Sequence, residues 1–458
     1  MGDALYTQLE QGLESEASVS LRINGSKTQA QPVAGEKVPW CDNGFYLKQR
    51  PNFTFDPLLH AGCYYVQEAS SMFVAHALRQ LFDHPVMLLD MCAAPGGKST
   101  AAVGALPEDS VVVSNEPIRT RAQILAENIT KWGAPATIVT NNYPDDFTKV
   151  SWLFDAIICD VPCSGEGMFR KDENAVGEWS VQNVEKCRQL QRDIVSKVWH
   201  LLAEDGYMIY STCTFNTKEN EENVDWICRE LGAETVDIAT QPEWNITGSL
   251  AEGFDGHVYR FIPGRTRGEG LFMAVLKKTS SSGTMPVTKG KDKGKRGREK
   301  GKGNSDKTVR LCQDYLQHPD RYELQTTGDL IIALPQTTLP LYAAIKDKLR
   351  IMKAGIVLGQ TKGKDIIPQP SLALSTDISQ NAFPQVDLDY GQAIAFLRRE
   401  PVAMPEGTPR GYVLVSYNHH PLGFVKNIGN RANNLYPAEW KIKSSHVPDE
   451  YSVLDREK

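Results

Sequence analysis

No apolar run in the 458 residues is long enough to cross a bilayer, so no membrane partner is expected. The opening Met1-Gly-Asp-Ala-Leu-Tyr6 has neither the basic nor the apolar segment of a secretory signal, and Tyr6 stands where a myristoylation motif needs Ser or Thr. The nine cysteines are scattered without a C-x-x-C pair, which argues against a disulfide framework and against a zinc site. A reducing cytoplasm is the compartment this implies, and no metal is expected. Positive charge is not in excess, since the net charge is −6. Lys289 to Lys307 nevertheless holds nine basic and three acidic residues, a local +6 that leaves −12 on the rest. Affinity for phosphate must therefore come from local patches. Two nucleotide motifs are also missing. There is no G-x-G-x-x-G, and the glycine that a phosphate-binding loop needs five residues before Gly97-Lys98-Ser99 is replaced by Cys92, with Pro95 stiffening the loop. Nucleotide hydrolysis is disfavoured.

What is present centres on two strand-to-loop corners. Phe154-Asp-Ala-Ile-Ile-Cys159 is short, apolar and bounded by turn residues, so it reads as a buried strand. It ends in Asp160, after which Pro162, Gly165 and Gly167 break the regular structure and leave Cys163 on a loop. Gly206-Tyr-Met-Ile-Tyr-Ser-Thr212 forms the second corner and ends at Cys213. Open α/β sheets place their chemistry at the carboxyl ends of parallel strands. Cysteine is often a small buried hydrophobe, which suits Cys159 in its strand and Cys187 on an apolar helix stripe. It suits Cys163 and Cys213 poorly, because both stand in polar, turn-forming sequence. A thiolate there can attack C6 of a pyrimidine and make C5 nucleophilic enough to take a methyl group from a sulfonium. An unperturbed thiol ionises near about pH 8.5, so it needs local help.

The fold class is α/β: a doubly wound, Rossmann-like sheet with a smaller β-rich domain behind it. Residues 1–60 read as a lead-in, with a helix near Ala4 to Leu13 and a strand over Ser18 to Asn24. Residues 61–278 alternate strand, loop and helix as a parallel sheet requires. Strands are expected at Val86 to Asp90, Val111 to Glu116, Ala136 to Asn141, Phe154 to Asp160 and up to Cys213, with an added hairpin around Pro263-Gly264. Val181, Val184, Cys187, Leu190, Ile194, Val198 and Leu201 recur at helical spacing and predict one long amphipathic helix. Residues 279–308, rich in Ser, Gly and Lys, read as a basic, disordered linker. Residues 309–458 suffice for a second domain, set apart from the catalytic core by that linker. Strands are expected there at Leu349 to Gly359 and over Gly411 to Lys426.

The Gly-rich loop after the first strand, Cys92-Ala93-Ala94-Pro95-Gly96-Gly97-Lys98, leads into a helix whose N-terminal amides can accept a ligand carboxylate. Glu116 ends the second strand, at the distance beyond Gly97 where this architecture places the acid that holds a ribose diol. Asn142, after the third strand, is placed to meet an adenine edge. Carboxylate, ribose and adenine together describe S-adenosylmethionine. Taken singly, each residue reads as a turn glycine or a surface acid, and their ordered placement on successive strands is what points to a cofactor.

Asp160-Val-Pro-Cys-Ser-Gly-Glu-Gly, Ser211-Thr-Cys-Thr and Cys92-Ala-Ala-Pro-Gly-Gly-Lys together resemble the Nol/Nop/Sun family of RNA cytosine-C5 methyltransferases. The likeness runs from about Tyr64 to Lys277 and takes in Tyr65-Val-Gln-Glu-Ala-Ser-Ser and Arg267-Gly-Glu-Gly-Leu-Phe. The Gly423-Phe-Val-Lys426 hairpin is similar to the family's PUA-like RNA-binding end. The resemblance implies that Cys213 bonds cytosine C6, that Cys163 assists release of the product, and that Asp160 lies against the methionine end of the cofactor and the target base. It also implies that Cys92 to Lys98 wrap the cofactor, that Glu116 holds its ribose and that Asn142 approaches its adenine. Members often carry an acid at the position of Asn142, and a neutral amide makes weaker hydrogen bonds than a carboxylate. DNA cytosine methyltransferases use the fourth-strand thiol as nucleophile, which would make Cys163 the attacker. Thr212-Cys213-Thr214 and the RNA-suited tail favour Cys213. The expected partner is RNA, in ribosomal RNA or the small ribosomal subunit, met by a monomer. Transfer RNA, or a ribosome-assembly role that merely keeps the cofactor fold, are the alternatives.

Overall fold

The computed structural model describes residues 1–279, 312–363, 365–444, 446–449 and 452–455. The basic stretch Lys289 to Lys307 lies outside the described residues. Four sheets carry the described residues. In order, the strands are β1 (Val19–Ile23), β2 (Gly35–Val38), β3 (Cys41–Leu47), β4 (Tyr64–Val66), β5 (Met87–Asp90), β6 (Val111–Asn115), β7 (Thr137–Thr140), β8 (Phe154–Asp160), β9 (Leu202–Thr212), β10 (Ala233–Thr235), β11 (Tyr259–Phe261) and β12 (Leu271–Lys278). Beyond the linker follow β13 (Tyr322–Thr327), β14 (Leu330–Pro335), β15 (Ile351–Ala354), β16 (Ile356–Lys362), β17 (Asp365–Pro368), β18 (Gln385–Leu388), β19 (Gly411–Tyr417), β20 (His420–Asn427) and β21 (Ala432–Asn434).

The large sheet has the order β10-β12-β9-β8-β5-β6-β7-β15, with β11 added on β12. Its centre, β9 to β7, is parallel, and β12 closes one side antiparallel to β9. Successive residues point to opposite faces, so Leu89, Ile157 and Tyr210 enter one core and Leu88, Ile158 and Ile209 the other. Burial on both faces explains why these strands read as unbroken apolar runs. The strand order reverses between β5 and β8, so the ligand crevice of such a sheet falls at the ends of those two strands. Asp90 and Asp160 are their last residues.

The helix Arg119–Trp132 ends at Gly133, whose φ of 86° is left-handed and whose position leaves no room for a Cβ beside the Leu374 carbonyl. The helix Val181–Trp199 starts at Ser180, whose hydroxyl accepts from the Asn183 N–H. Its buried face is rotated from the expected stripe. Val181 is 65% and Leu190 45% exposed, while Gln191, Val195 and Trp199 are buried. The polar Gln191 is drawn inward by hydrogen bonds to Pro162 and Glu219, which apolar periodicity does not register.

Two placements correct the expected partition. Tyr64–Val66 pairs with β1, so the N-terminal sheet, β2-β3-β1-β4, runs past residue 60. Leu349 to Gly359 is not one strand of a separate tail. It breaks at Gly355 (φ 58°), where a Cβ would lie 2.2 Å from the Ala333 carbonyl oxygen. Before the break, β15 pairs antiparallel with β7 of the large sheet; after it, β16 pairs with β14. The edge of a parallel sheet offers unpaired backbone groups, and the chain beyond the linker satisfies them here.

The remaining sheets are β13-β14-β16-β17 and β18-β19-β20-β21. The β19–β20 hairpin turns on Asn418 and His419, both at positive φ, as a two-residue type I′ turn demands. Leu21, Phe45 and Tyr64 of the N-terminal sheet share one core with Ile394, Phe396 and Leu454 of the C-terminal part. No helix among the described residues is long and apolar enough to cross a membrane. Among them there is also no group of three or more His, Cys, Asp and Glu that could hold a metal ion.

Candidate active site

The two corners meet. Cys163 Sγ lies 3.2 Å from Cys213 Sγ, and the Gly167 N–H donates to the Cys213 carbonyl at 2.6 Å. A Cβ on Gly167 would sit 2.5 Å from that oxygen, so only glycine lets the loops close. Two acids lace the loops together. The Glu219 carboxylate accepts from the Ser164 N–H, Gln191 Nε2 and Asn216 Nδ2. That of Glu166 accepts from the Phe215 and Asn216 amides and from Trp179 Nε1. Sequence reasoning did not single out either acid. Glu166 stood inside the quoted Ser-Gly-Glu-Gly stretch, and Glu219 follows Cys213 in an ordinary-looking polar loop.

The thiols are unequal. Cys213 is pulled below its ordinary value because the Cys163 thiol donates to it; burial and Asp160 oppose this, and the Lys98 ammonium assists it. Cys163, spending its proton on Cys213 and buried, is pushed well up. Beside them Lys98 Nζ is 2.7 Å from Asp160 Oδ2, and Ser211 donates to Asp160 Oδ1 at 2.7 Å. Burial disfavours the Lys98 ammonium, but Asp160 outweighs it and keeps the lysine charged.

The Cys92 to Lys98 loop crosses the end of β5 and opens the helix Gly97–Ala105. Gly96 caps it at a φ of 117°. Ala93 takes its place through its N–H to the Asn115 carbonyl, and Arg121 and Asn128 donate to the Ala94 and Pro95 carbonyls. Glu116 is buried, accepts from the Ile118 N–H, and lies 3.4 Å from Arg121 Nη1. Asn142 is buried too, but both ends of its amide are taken by the backbone of Arg350. Asp90 is the residue that sequence reasoning passed over as a mere strand end. It is fully buried; Oδ2 accepts from Ser99, the Cys92 amide lies near the carboxylate, and Oδ1 has no well-formed hydrogen bond among the described residues. Burial lifts its pKa to about 7. A half-satisfied buried acid beside a helix N-terminus suits a ligand bearing both a cation and a carboxylate, as the methionine end of S-adenosylmethionine does.

The outer stretches quoted from the sequence brace this centre. Glu68 accepts from the Ser70, Ser71 and Glu269 amides, and Arg170 pairs with Glu269 at 2.9 Å.

Among solved structures, a methyltransferase homolog from Pyrococcus horikoshii superposes with a TM-score of 0.51 at 24% identity, covering 59% of this chain and 90% of that one. NSun6 from Pyrococcus horikoshii gives 0.51 at 18% identity, covering 61% and 96%. The fold is thus that of a Rossmann-like methyltransferase. A model described as 16S rRNA methyltransferase RsmB/F matches residues 80–277. The N-terminal domain of 16S rRNA methyltransferase RsmF matches residues 1–69, and the methyltransferase RsmF PUA domain residues 383–442. Ribosomal RNA small subunit methyltransferase F from Escherichia coli is 31% identical over 418 residues, covering 88% of this chain and 84% of that one. The protein of that name from Erwinia tasmaniensis is 28% identical over 446 residues, covering 92% and 90%. The chain belongs to the RsmB/F family of 16S rRNA methyltransferases, on the RsmF side, as the motifs in its sequence led one to expect.

Proposed function

We propose that this rRNA methyltransferase moves a methyl group from S-adenosylmethionine to C5 of a cytosine in 16S ribosomal RNA, through a covalent bond between Cys213 and cytosine C6. The observation that carries the reading is the 3.2 Å approach of the two thiols next to the Lys98–Asp160 pair. Residues Cys92 to Lys98, Asp90, Asp160 and Glu116 would hold the cofactor, with the Gly97 helix N-terminus at its carboxylate and Glu116 at its ribose. When bound, the cofactor supplies an electrophilic methyl group.

Cys213, whose ionisation the Cys163 thiol and Lys98 favour, adds as the thiolate to C6 of a flipped-out cytosine. Electron density moves to C5, which takes the methyl group. Asp160, with its carboxylate a third exposed, accepts a hydrogen bond from the base while Lys98 and Ser211 fix its angle. C5 then gives its proton to solvent water, the electron pair of that bond forms the C5–C6 double bond, the C6–S bond breaks, and Cys213 leaves as a thiolate that recovers its hydrogen bond from Cys163.

RNA reaches the site along a groove of about 480 Å³ between the N-terminal sheet and the Gly264–Gly268 loop. Lys48, Arg50, Arg265 and Arg267 line it together with Arg170, which is spent on Glu269, against a lone acid, Glu16. Arg267 is already paired with Glu36, which leaves Lys48, Arg50 and Arg265 for phosphates. The groove ends at Gly268, two residues from Gly270, which packs on the Gly167 loop. The PUA domain at the C-terminal end supplies a second contact that helps to select the site. Bisulfite mapping of 16S rRNA tests the function directly. One cytosine should be protected in cells carrying the gene and converted in cells lacking it; an identical map would refute the reading.

A further inference from the structure

The reading of S-adenosylmethionine as cofactor, with Glu116 at its ribose, would bring the adenine to the end of β7, the next strand of the sheet. That edge is covered by the chain from beyond the linker. The Asn141 N–H donates to the Arg350 carbonyl at 3.0 Å. Asn142 Nδ2 donates to the same oxygen at 3.1 Å, while its Oδ1 accepts from the Arg350 N–H at 2.9 Å. A carboxamide supplies both donor and acceptor, so it matches a peptide group as another strand would. Asn115 holds Asn142 in turn: it donates to the Asn142 carbonyl, accepts from the Asn142 N–H, and donates to the Met91 carbonyl. Two residues on from Arg350, Met352 packs against Ala93, Ala94, Leu125, Ile129 and Val139. Ala93 and Ala94 belong to the cofactor loop.

We propose that Leu349 to Met352 form the outer wall of the adenine pocket and that Asn142 is the positioning residue that clips this wall shut. The inference rests on the reading of S-adenosylmethionine as cofactor. It reassigns Asn142, whose amide is spent on the Arg350 backbone and does not face the adenine. It also makes the part of the chain beyond the linker a contributor to cofactor affinity. An acid at position 142 offers two acceptors and no donor, so the Arg350 carbonyl would keep only the Asn141 N–H and face a negative charge.

The test is calorimetry of S-adenosylhomocysteine binding to the full chain, with hydrogen exchange followed over Ile351–Ala354. Asn142→Asp should bind roughly tenfold more weakly and lose protection over that strand. Met352→Ala, which leaves the clip intact and trims the wall, should also weaken binding, with melting confirming that both variants fold. If Asn142 instead faced the adenine, the carboxylate would strengthen binding, because charge-assisted hydrogen bonds are stronger. Unchanged or tighter binding in Asn142→Asp overturns the proposal, as does unchanged binding in Met352→Ala. Weaker binding in Asn142→Asp with full protection over Ile351–Ala354 overturns it as well. No binding to the unsubstituted chain would instead refute the cofactor reading itself.

Discussion

Cys163 and Cys213 are chemically the same group 3.2 Å apart, yet their surroundings divide the proton between them. Cys213 receives the thiol hydrogen bond and a nearby ammonium; Cys163 gives that hydrogen bond, and the Cys213 backbone offsets only part of the cost of charging it. In the Cys163→Ala variant the largest of these influences is gone, so the Cys213 pKa should rise. Only the thiolate alkylates, so the midpoint of Cys213 alkylation by iodoacetamide, followed on its own peptide, should move to higher pH. A midpoint that stayed put would mean that Lys98 alone sets it. Asp90 makes the opposite kind of statement. Its folded pKa of about 7 lies above the unfolded carboxyl value of about 3.9, so the fold loses stability as pH climbs through that window. Asp90→Asn should therefore raise Tm more at pH 8 than at pH 5 while weakening cofactor binding, which is the signature of a site residue kept at a cost to the fold. Equal gains at both pH values would show that the acid is not strained by burial. The thiols were legible because turn residues on both sides mark them as loop cysteines. Asp90 was not, since a carboxylate at a strand end reads the same whether it is solvated or fully buried.

At the scale of elements, the loops bearing the thiols are held by two buried acids more than by their own backbone. Removing Glu219 leaves the Ser164 N–H, Gln191 and Asn216 short of an acceptor. Glu219→Ala should cost about 2–4 kcal/mol in a urea melt, and should lower methylation more than cofactor affinity. A loss below about 0.5 kcal/mol would mean that water replaces the carboxylate. The strands and most helices of the large sheet followed from apolar runs and turn residues. The rotated face of Val181–Trp199 did not, because Gln191 is buried for its hydrogen bonds and period counting scores it as polar. The basic groove was also hidden in the sequence. Lys48 and Arg50 stand near the start of the chain and Arg265 past its middle, and they become neighbours only when the N-terminal sheet docks. Serine at all three should weaken RNA binding and lower the salt slope by roughly 2, with cofactor binding unchanged. An unaltered slope would move the RNA path elsewhere.

The whole molecule is more tightly joined than a linker between two domains suggests. The chain beyond the linker supplies an edge strand to the methyltransferase sheet and shares a core with the N-terminal sheet. Tyr390 donates to the Phe55 carbonyl, and Pro32 bridges to Leu454. Pairings between opposite ends of the chain leave no local mark in a sequence, whereas the composition of the linker does, which is why separation was expected and docking was not. Truncation at Thr279 exposes the β7 edge and the apolar residues around Leu21 and Phe45. The truncated chain should melt lower and bind cofactor more weakly than the full one, in calorimetry at the same temperature. Full affinity would show that the chain up to Thr279 is self-sufficient.

The division of labour between the thiols is the centre of this account, and a denaturing gel of enzyme incubated with cofactor and substrate RNA tests it most directly. Cys163→Ala should accumulate a slow band of protein covalently bound to RNA, because the C6–S bond forms and its release is slowed. Cys213→Ala, and the double variant, should show neither adduct nor methylation. An adduct that forms in Cys213→Ala and vanishes in Cys163→Ala would reverse the roles of the two residues and contradict the mechanism.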